Sequence, residues 1–120
     1  MSLATRRAAE SRGRLAEARC ALRLRLKGYR ILARRFRTHG GEVDIVARRG
    51  GIVAFVEVKA RDSEASAADS ITPRQRRRIL AAAKAYIARH PDLADHEFRF
   101  DVMLVAGWHP PRHILDAWRE

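Results

Sequence analysis

Asp44, Glu57 and Lys59 are the residues whose types and spacing point to chemistry. Asp44 lies in a β-rich segment, 42–49, and the other two lie in the next such segment, 52–60. Two carboxylates held close together repel one another, and a hard divalent cation such as Mg²⁺ offsets both charges. A metal-bound water could then attack a phosphodiester while the lysine stabilises the developing negative charge. The three residues therefore predict a hydrolytic metal site.

A glycine pair, 50–51, joins these two segments and favours a tight two-residue hairpin turn. With that turn Asp44 faces Glu57, and Glu42 faces Lys59. Because side chains alternate between the faces of a strand, Asp44, Glu57 and Lys59 should project from the same side of the sheet. A connecting loop of odd length would instead separate them.

The same three residues also fit a solvated polar face with an ordinary cross-strand ion pair. The other face of the segment 52–60 is apolar throughout, which favours a covered central strand over an exposed edge strand. Charged side chains on a central strand need a compensating partner, and this need favours the metal site.

Helices and further strands are predicted to hold this hairpin in place. Residues 5–27 are predicted to form one amphipathic helix that ends at Gly28. Residues 29–36 are predicted to form a strand and residues 38–41 a loop. The apolar stripe of the helix is predicted to consist of Leu15, Ala18, Leu22 and Leu26.

A second helix is predicted to begin after Thr72. Thr72 is a typical N-cap, a proline follows at the first helical position, and Gln75 completes a capping box. The helix should end at residues 90–91, where a proline follows a histidine. The small, polar and acidic segment 62–70 before it is expected to be a mobile loop.

The last third of the chain completes the predicted sheet. Residues 98–104 alternate like a strand, 108–111 form a turn, and 112–118 form either a terminal strand or a short helix. The element order predicts an α/β fold with a mixed central sheet flanked by helices, in which the second helix crosses over between parallel strands. The length fits a single domain, 1–120, with residues 1–12 either helical or a flexible basic arm.

The positive charge is concentrated near the N-terminus. Up to Arg37 there are twelve Lys or Arg residues against two acids, and beyond it thirteen against twelve. This asymmetry predicts a polyanionic partner, above all nucleic acid. Lipid headgroups, or a general preference for arginine over lysine, remain open as explanations. No apolar run spans a bilayer, and Cys20 is the only cysteine, so we expect a cytoplasmic protein without membrane contact and a buried thiol.

Four short phrases carry a family resemblance: Gly28-Tyr-Arg-Ile-Leu, Gly41-Glu-Val-Asp-Ile-Val, Phe55-Val-Glu-Val-Lys and Arg99-Phe-Asp-Val. They resemble the YraN family of small, uncharacterised bacterial proteins, which is similar to archaeal Holliday junction resolvases. The acid followed by Glu-x-Lys also matches the D-(x)n-E-x-K signature of restriction-endonuclease-like nucleases. The resemblance covers residues 13–118 and implies a restriction-endonuclease-like three-layer fold.

The resemblance also implies roles for individual residues. Asp44 and Glu57 would bind Mg²⁺ or Mn²⁺, the backbone carbonyl of Val58 would be a third ligand, and Lys59 would be the catalytic lysine. In resolvase-like relatives an acid on the first helix often joins the metal site, and Glu17 is the match here. Glu17 also fits an ordinary surface position among arginines.

Three further residues have weaker implied roles. Glu42 would contact the metal ligands without binding the metal itself, or it would hold Lys59 in place. Gln75 matches a position where related nucleases often carry Lys or Gln, although its capping role explains it without catalysis. Asp101 is expected to brace either the site or an arginine, with an ordinary structural role preferred.

The sequence as a whole predicts a Mg²⁺-dependent endonuclease acting on DNA, including branched DNA, with a two-fold homodimer as an open option. A nucleic-acid-binding adaptor that keeps the fold without cleavage is the alternative, and a protein-interaction module with an acidic partner is a third. The residues expected to bind nucleic acid, unless those on the second helix form only its solvated face, are Arg34, Arg35, Arg37, Arg74, Arg76 and Arg77.

Overall fold

The computed structural model describes residues 2–60 and 71–120, without the side chains of residues 8–12. Its elements are α1 (Leu3–Leu26), β1 (Arg30–Thr38), β2 (Gly41–Arg49), β3 (Ile52–Ala60), α2 (Pro73–Arg89), a short 3-10 helix (Pro91–Leu93), β4 (Glu97–Val105) and β5 (Arg112–Trp118). The segment 62–70, predicted to be a mobile loop, lies outside the described residues.

The described strands form one mixed sheet in the order β1-β2-β3-β4-β5. β3 and β4 are parallel, and every other neighbouring pair is antiparallel. α2 lies between the two parallel strands in the chain, so the predicted crossover is confirmed. The C-terminal segment is a strand, which resolves the two alternatives left by the sequence.

The hairpin of β2 and β3 has the register that a two-residue turn requires. Arg49 pairs with Ile52, and Gly50 adopts the left-handed conformation with φ 59°. The paired positions continue from the turn as far as Ile45 and Val56. Asp44 and Glu57 therefore stand at the point where this regular pairing ends.

α1 and α2 cover opposite faces of the sheet. Val53 and Phe55 of β3 pack in the hydrophobic cluster that includes α2, whereas Ala54 and Val56 pack in the cluster that includes α1. Alternating residues of a strand face opposite sides, so the sheet lies between the two helices. The predicted mixed sheet flanked by helices is confirmed, and none of the described helices is long and apolar enough to cross a membrane.

The prediction for the buried face of α1 is wrong. Leu15, Leu22 and Leu26 are exposed by 62%, 56% and 74%. The residues that α1 buries are Ala16, Glu17, Cys20, Ala21 and Leu24. Most of these are small, and small side chains let a helix approach a sheet closely, so the larger leucines do not mark the packing face. Residues 3–12, for which the sequence left a flexible arm open, lie in the first turns of α1.

α2 begins as predicted and fixes the start of β2. Thr72 and Gln75 form a capping box, in which the Thr72 hydroxyl accepts the Gln75 N–H and the Gln75 side chain accepts the Thr72 N–H. A Cβ atom at Gly41 would collide with the backbone of Arg78. Glycine at this position therefore lets the strand that carries Asp44 lie directly against α2.

Candidate metal centre

Asp44 and Glu57 meet where the pairing of β2 and β3 ends. The Asp44 carboxylate accepts a hydrogen bond from the backbone N–H of Val58 at 2.7 Å. It also accepts one from the carboxyl group of Glu57. Both acids are half-buried, so each is removed from much of the water that would stabilise its charge. The structure thus brings the two predicted acidic ligands into contact.

This contact changes how the two acids bind protons. Burial, followed by the neighbouring Asp44 charge, raises the pKa of Glu57 to about 8, although Lys59 lowers it. Burial also raises the pKa of Asp44 above its ordinary value, against the hydrogen bonds from Val58 and Glu57. In the absence of a cation the pair therefore retains a proton near neutral pH.

Lys59 joins the same cluster, and Glu42 lies nearby in an ion pair with an arginine. The Lys59 Nζ atom lies 4.0 Å from Glu57 Oε1, and both side chains are mostly buried. The Glu42 carboxylate instead pairs with Arg37 at 3.3 Å on an exposed part of the surface. Glu42 still lines the cavity together with both acids, so its role in supporting the site or in holding Lys59 stays a prediction.

Glu17 is buried and engaged by two arginines. Its Oε1 atom accepts from Arg34 Nε at 2.9 Å, and its Oε2 atom accepts from Arg35 Nε at 2.9 Å. Arg35 has a φ of 52°, and this left-handed residue lets two consecutive arginines reach the same carboxylate. The alternative of a surface position is wrong, since Glu17 is only 6% exposed. Its role as a metal ligand stays a prediction.

A polar cavity of about 490 Å³ lies beside the acidic pair. Its charged lining mixes acids and arginines, so it offers both carboxylate oxygens and guanidinium groups. The charged residues that line it are Arg14, Glu17, Arg35, Arg37, Glu42, Asp44 and Glu57. Arg14 was not predicted as a site residue, although its position three residues before Glu17 places both on one side of α1.

The donor set fits a hard divalent cation. Asp44 and Glu57 offer carboxylate oxygens, and Val58 also lines the cavity and has a backbone carbonyl. Within the described residues no group of three or more His, Cys, Asp or Glu is placed to hold a metal. A site here would therefore rely on two carboxylates, a carbonyl and water, which is the usual environment of Mg²⁺ in proteins.

The remaining predicted residues lie elsewhere. Gln75 caps α2, and Arg76 places its guanidinium 5.7 Å from the centre of the Trp118 ring. Arg74 and Arg77 are exposed on α2, on the opposite face of the sheet from α1 and outside the lining of the cavity. Their binding to nucleic acid stays a prediction, but it would not be part of the same cavity.

Cys20 should be chemically inert in the folded protein. It is fully buried on α1, as predicted, and burial raises the pKa of its thiol to about 12. The thiolate is the reactive form, so we expect no reaction with a thiol reagent such as DTNB under native conditions and one thiol per chain in denaturant. Rapid stoichiometric labelling of the native protein would contradict this placement of α1.

Comparisons with known proteins identify relatives over nearly the whole chain. A model of the uncharacterised protein family UPF0102 matches residues 16–105. A UPF0102 protein of Paramagnetospirillum magneticum is 56% identical over 116 residues, covering 93% of this chain and 90% of that protein. A UPF0102 protein of Bradyrhizobium is 57% identical over 106 residues, covering 88% and 75%. A UPF0102 protein of Parvibaculum lavamentivorans is 50% identical over 116 residues, covering 97% and 87%.

Proposed function

The chain belongs to the uncharacterised protein family UPF0102, and we propose that it is a metal-dependent endonuclease that hydrolyses phosphodiester bonds of DNA. The observation that carries this proposal is the hydrogen-bonded pair of Asp44 and Glu57 beside Lys59, at the edge of an arginine-lined cavity. Two half-buried acids in contact are costly for a fold alone, and a divalent cation would remove that cost. The resemblance to restriction-endonuclease-like nucleases assigns the same three residues.

Each residue would have a distinct part in the reaction. Bound Mg²⁺ or Mn²⁺ would supply a Lewis acid that lowers the pKa of a water molecule. Asp44 and Glu57 would release their shared proton and bind through carboxylate oxygens, with the carbonyl of Val58 beside them. Lys59 would hold its ammonium group against the phosphoryl oxygen on which negative charge grows.

The arginines near the cavity would hold the phosphodiester. Arg35 and Arg37 both line the cavity, and Glu17 fixes Arg35 together with Arg34. Guanidinium groups recognise phosphate oxygens through paired hydrogen bonds, so fixed arginines would align the backbone with the acids. From the same family resemblance we propose a restriction-endonuclease-like fold. Branched DNA is a candidate substrate, and a two-fold dimer is the form that would cut two strands.

Loss of Lys59 or Glu57 is expected to abolish cleavage but not binding. Lys59→Ala and Glu57→Ala should each lower the rate of Mg²⁺-dependent or Mn²⁺-dependent cleavage by about 100-fold or more, the effect typical of losing a group that stabilises transition-state charge. Lys84→Ala is the matched control, because Lys84 lies exposed on α2. Cleavage of branched, single-stranded and duplex DNA would be followed on gels, and affinity would be measured in EDTA.

The alternative is a nucleic-acid-binding adaptor that keeps the fold without cleavage. It is favoured by the small number of candidate ligands, since among the described residues no group of three or more His, Cys, Asp or Glu could hold a metal ion. Salt-sensitive DNA binding without any cleavage by the wild type in Mg²⁺ or Mn²⁺ would support the adaptor and exclude the nuclease.

A further inference from the structure

Trp108 is 98% exposed, which is unusual for a residue with so large an apolar surface. Trp118, by contrast, is 5% exposed and stacks on Phe100 with ring centroids 4.2 Å apart. Trp108 lies in the turn between β4 and β5, and the hydrogen bond from His109 N–H to the Ala106 carbonyl closes that turn. The indole therefore projects into solvent and does not pack against the rest of the protein.

Arg19 of α1 fixes this turn on both sides of the tryptophan. Its Nη1 atom donates to the Gly107 carbonyl at 2.9 Å, and its Nη2 atom donates to the His109 carbonyl at 2.7 Å. Pro110 and Pro111 follow, and their rings restrict the backbone further. A clamped turn presents its aromatic side chain with little loss of conformational entropy on binding.

The turn follows β4 at the same end of the sheet as the candidate metal centre. β3 and β4 run in the same direction, and Ala60, which lines the cavity, pairs with Val105. Adjacent strands are about 4.8 Å apart, and three further residues span at most about 10 Å, so Trp108 lies within roughly 15 Å of Ala60. On α1, Arg19 is two residues beyond Glu17, or about 3 Å along the helix axis.

The positive charge of this region indicates which kind of ligand Trp108 would contact. Arg14, Arg35 and Arg37 line the cavity, and the chain carries a formal charge of +11. A ligand that combines a negatively charged backbone with flat aromatic faces complements both features, and nucleic acid has this combination. Bases inside a duplex are already stacked on one another, so an indole on the surface reaches a base that is unpaired.

We propose that Trp108 stacks on an unpaired nucleobase of a DNA strand whose backbone crosses the arginine-lined cavity, and that this contact directs the protein to single-stranded or branched DNA. The inference rests on the proposed function, because it takes the cavity to be the place where the phosphodiester binds. It adds a specificity residue that acts in binding and does not touch the reacting atoms.

The tryptophan itself provides the probe for a test. In a Trp118→Phe background, which keeps an aromatic ring on Phe100, Trp108 is the only tryptophan and its emission reports on stacking. The probes are a single-stranded oligodeoxynucleotide and relaxed circular duplex DNA, which has neither ends nor unpaired bases, both in EDTA. We expect quenching of Trp108 by the single strand and not by the duplex.

Trp108→Ala should weaken binding of the single strand by about 10- to 100-fold, the range measured for loss of a stacked base. Trp108→Phe should recover part of that loss, and Leu115→Ala, at an exposed apolar residue on β5, should cause none. Unchanged emission on binding, or equal single-strand affinity of wild type and Trp108→Ala, would overturn the inference. If Trp108 is quenched but no substrate is ever cut, the stacking inference stands and the nuclease proposal falls. If Trp108→Ala cleaves normally and binds the single strand with unchanged affinity, the nuclease proposal stands and the stacking inference falls.

Discussion

Glu57→Gln is expected to stabilise the metal-free protein at alkaline pH and, at the same time, to abolish binding of Mg²⁺ or Mn²⁺. The pKa of Glu57 rises from 4.5 to about 8 on folding because the side chain is buried beside Asp44. A raised carboxyl pKa means that its favourable contribution is complete below pH 4.5 and is lost as the pH rises through about 8. Glutamine keeps a donor toward Asp44 and never ionises.

The gain in unfolding free energy should therefore be absent in mild acid and largest above pH 8. Each unit of pKa shift corresponds to about 1.4 kcal/mol, so the gain is at most ~5 kcal/mol, shared with Asp44 because the two acids titrate together. Thermal unfolding in EDTA across this pH range measures it. Glu97→Gln is the control, since Glu97 is exposed at the start of β4. Equal stability of wild type and Glu57→Gln at alkaline pH would contradict the buried acidic pair.

The substitution should weaken metal binding, although it stabilises the metal-free fold. Wild-type affinity for Mn²⁺ should increase with pH up to about 8, because the cation must displace the proton that Glu57 holds. Glu57→Gln should lose more than about 100-fold in affinity for Mn²⁺. Loss of a residue that only hydrogen-bonds to a metal ligand costs up to about 100-fold, so a larger loss indicates a direct ligand. Calorimetry in two buffers of different ionisation enthalpy measures both the affinity and the released proton. A variant that gains stability yet still binds Mn²⁺ tightly would exclude Glu57 as a ligand.

The sequence predicted the hairpin well because its information is local. A glycine pair determines the turn, the turn determines the register, and the register brings Asp44 to Glu57. The helix boundaries followed equally local signals, as the capping box of Thr72 and Gln75 illustrates. Where the structural reason lies within a few residues along the chain, reasoning from composition and spacing was sufficient.

Long-range packing was not accessible in the same way. The leucines of α1 have the right periodicity for a buried stripe, but the helix packs through small residues such as Ala16 and Cys20, because the sheet beneath admits a close approach. Likewise, the contact of Glu17 with Arg34 and Arg35 depends on a left-handed residue within a strand. The small residues of α1 also recur at helical spacing, so periodicity alone did not distinguish the two faces of the helix. The contact of Glu17 depends on the shape of a surface distant in sequence, which periodicity does not describe.

Asp101 shows how a buried charge can be compensated within the fold. It is fully buried on β4, where Arg99 donates to both of its oxygens at 2.8 Å. His113 Nε2 donates at 2.7 Å and the backbone N–H of Asp116 at 2.9 Å. Lys27 lies 2.5 Å from His113 Nδ1 and can only donate, so the ring proton is assigned to Nε2. The predicted role of Asp101 in bracing an arginine is confirmed.

Asp101→Ala is expected to lower the free energy of unfolding by about 3–5 kcal/mol, because it leaves Arg99 and His113 without their shared acceptor. Asp101→Asn should cost less, since one amide oxygen can still accept. Burial would raise the pKa of Asp101, but the hydrogen bonds from His113, Arg99 and Asp116 bring it below its ordinary value. Its contribution is therefore present above the unfolded pKa and is lost only as the pH falls through the lower folded value.

Urea unfolding at neutral and acid pH would measure both effects, with Asp95→Ala as the control because the Asp95 side chain is 89% exposed. In a double-mutant cycle, Arg99→Met should cost less in the Asp101→Ala background than in the wild type, since the charge it removes has already lost its partner. Additive losses would show that Arg99 and Asp101 contribute independently. At Asp101 the compensation is therefore built into the chain through several hydrogen-bond donors, whereas the metal-free pair of Asp44 and Glu57 depends on a retained proton and on Lys59.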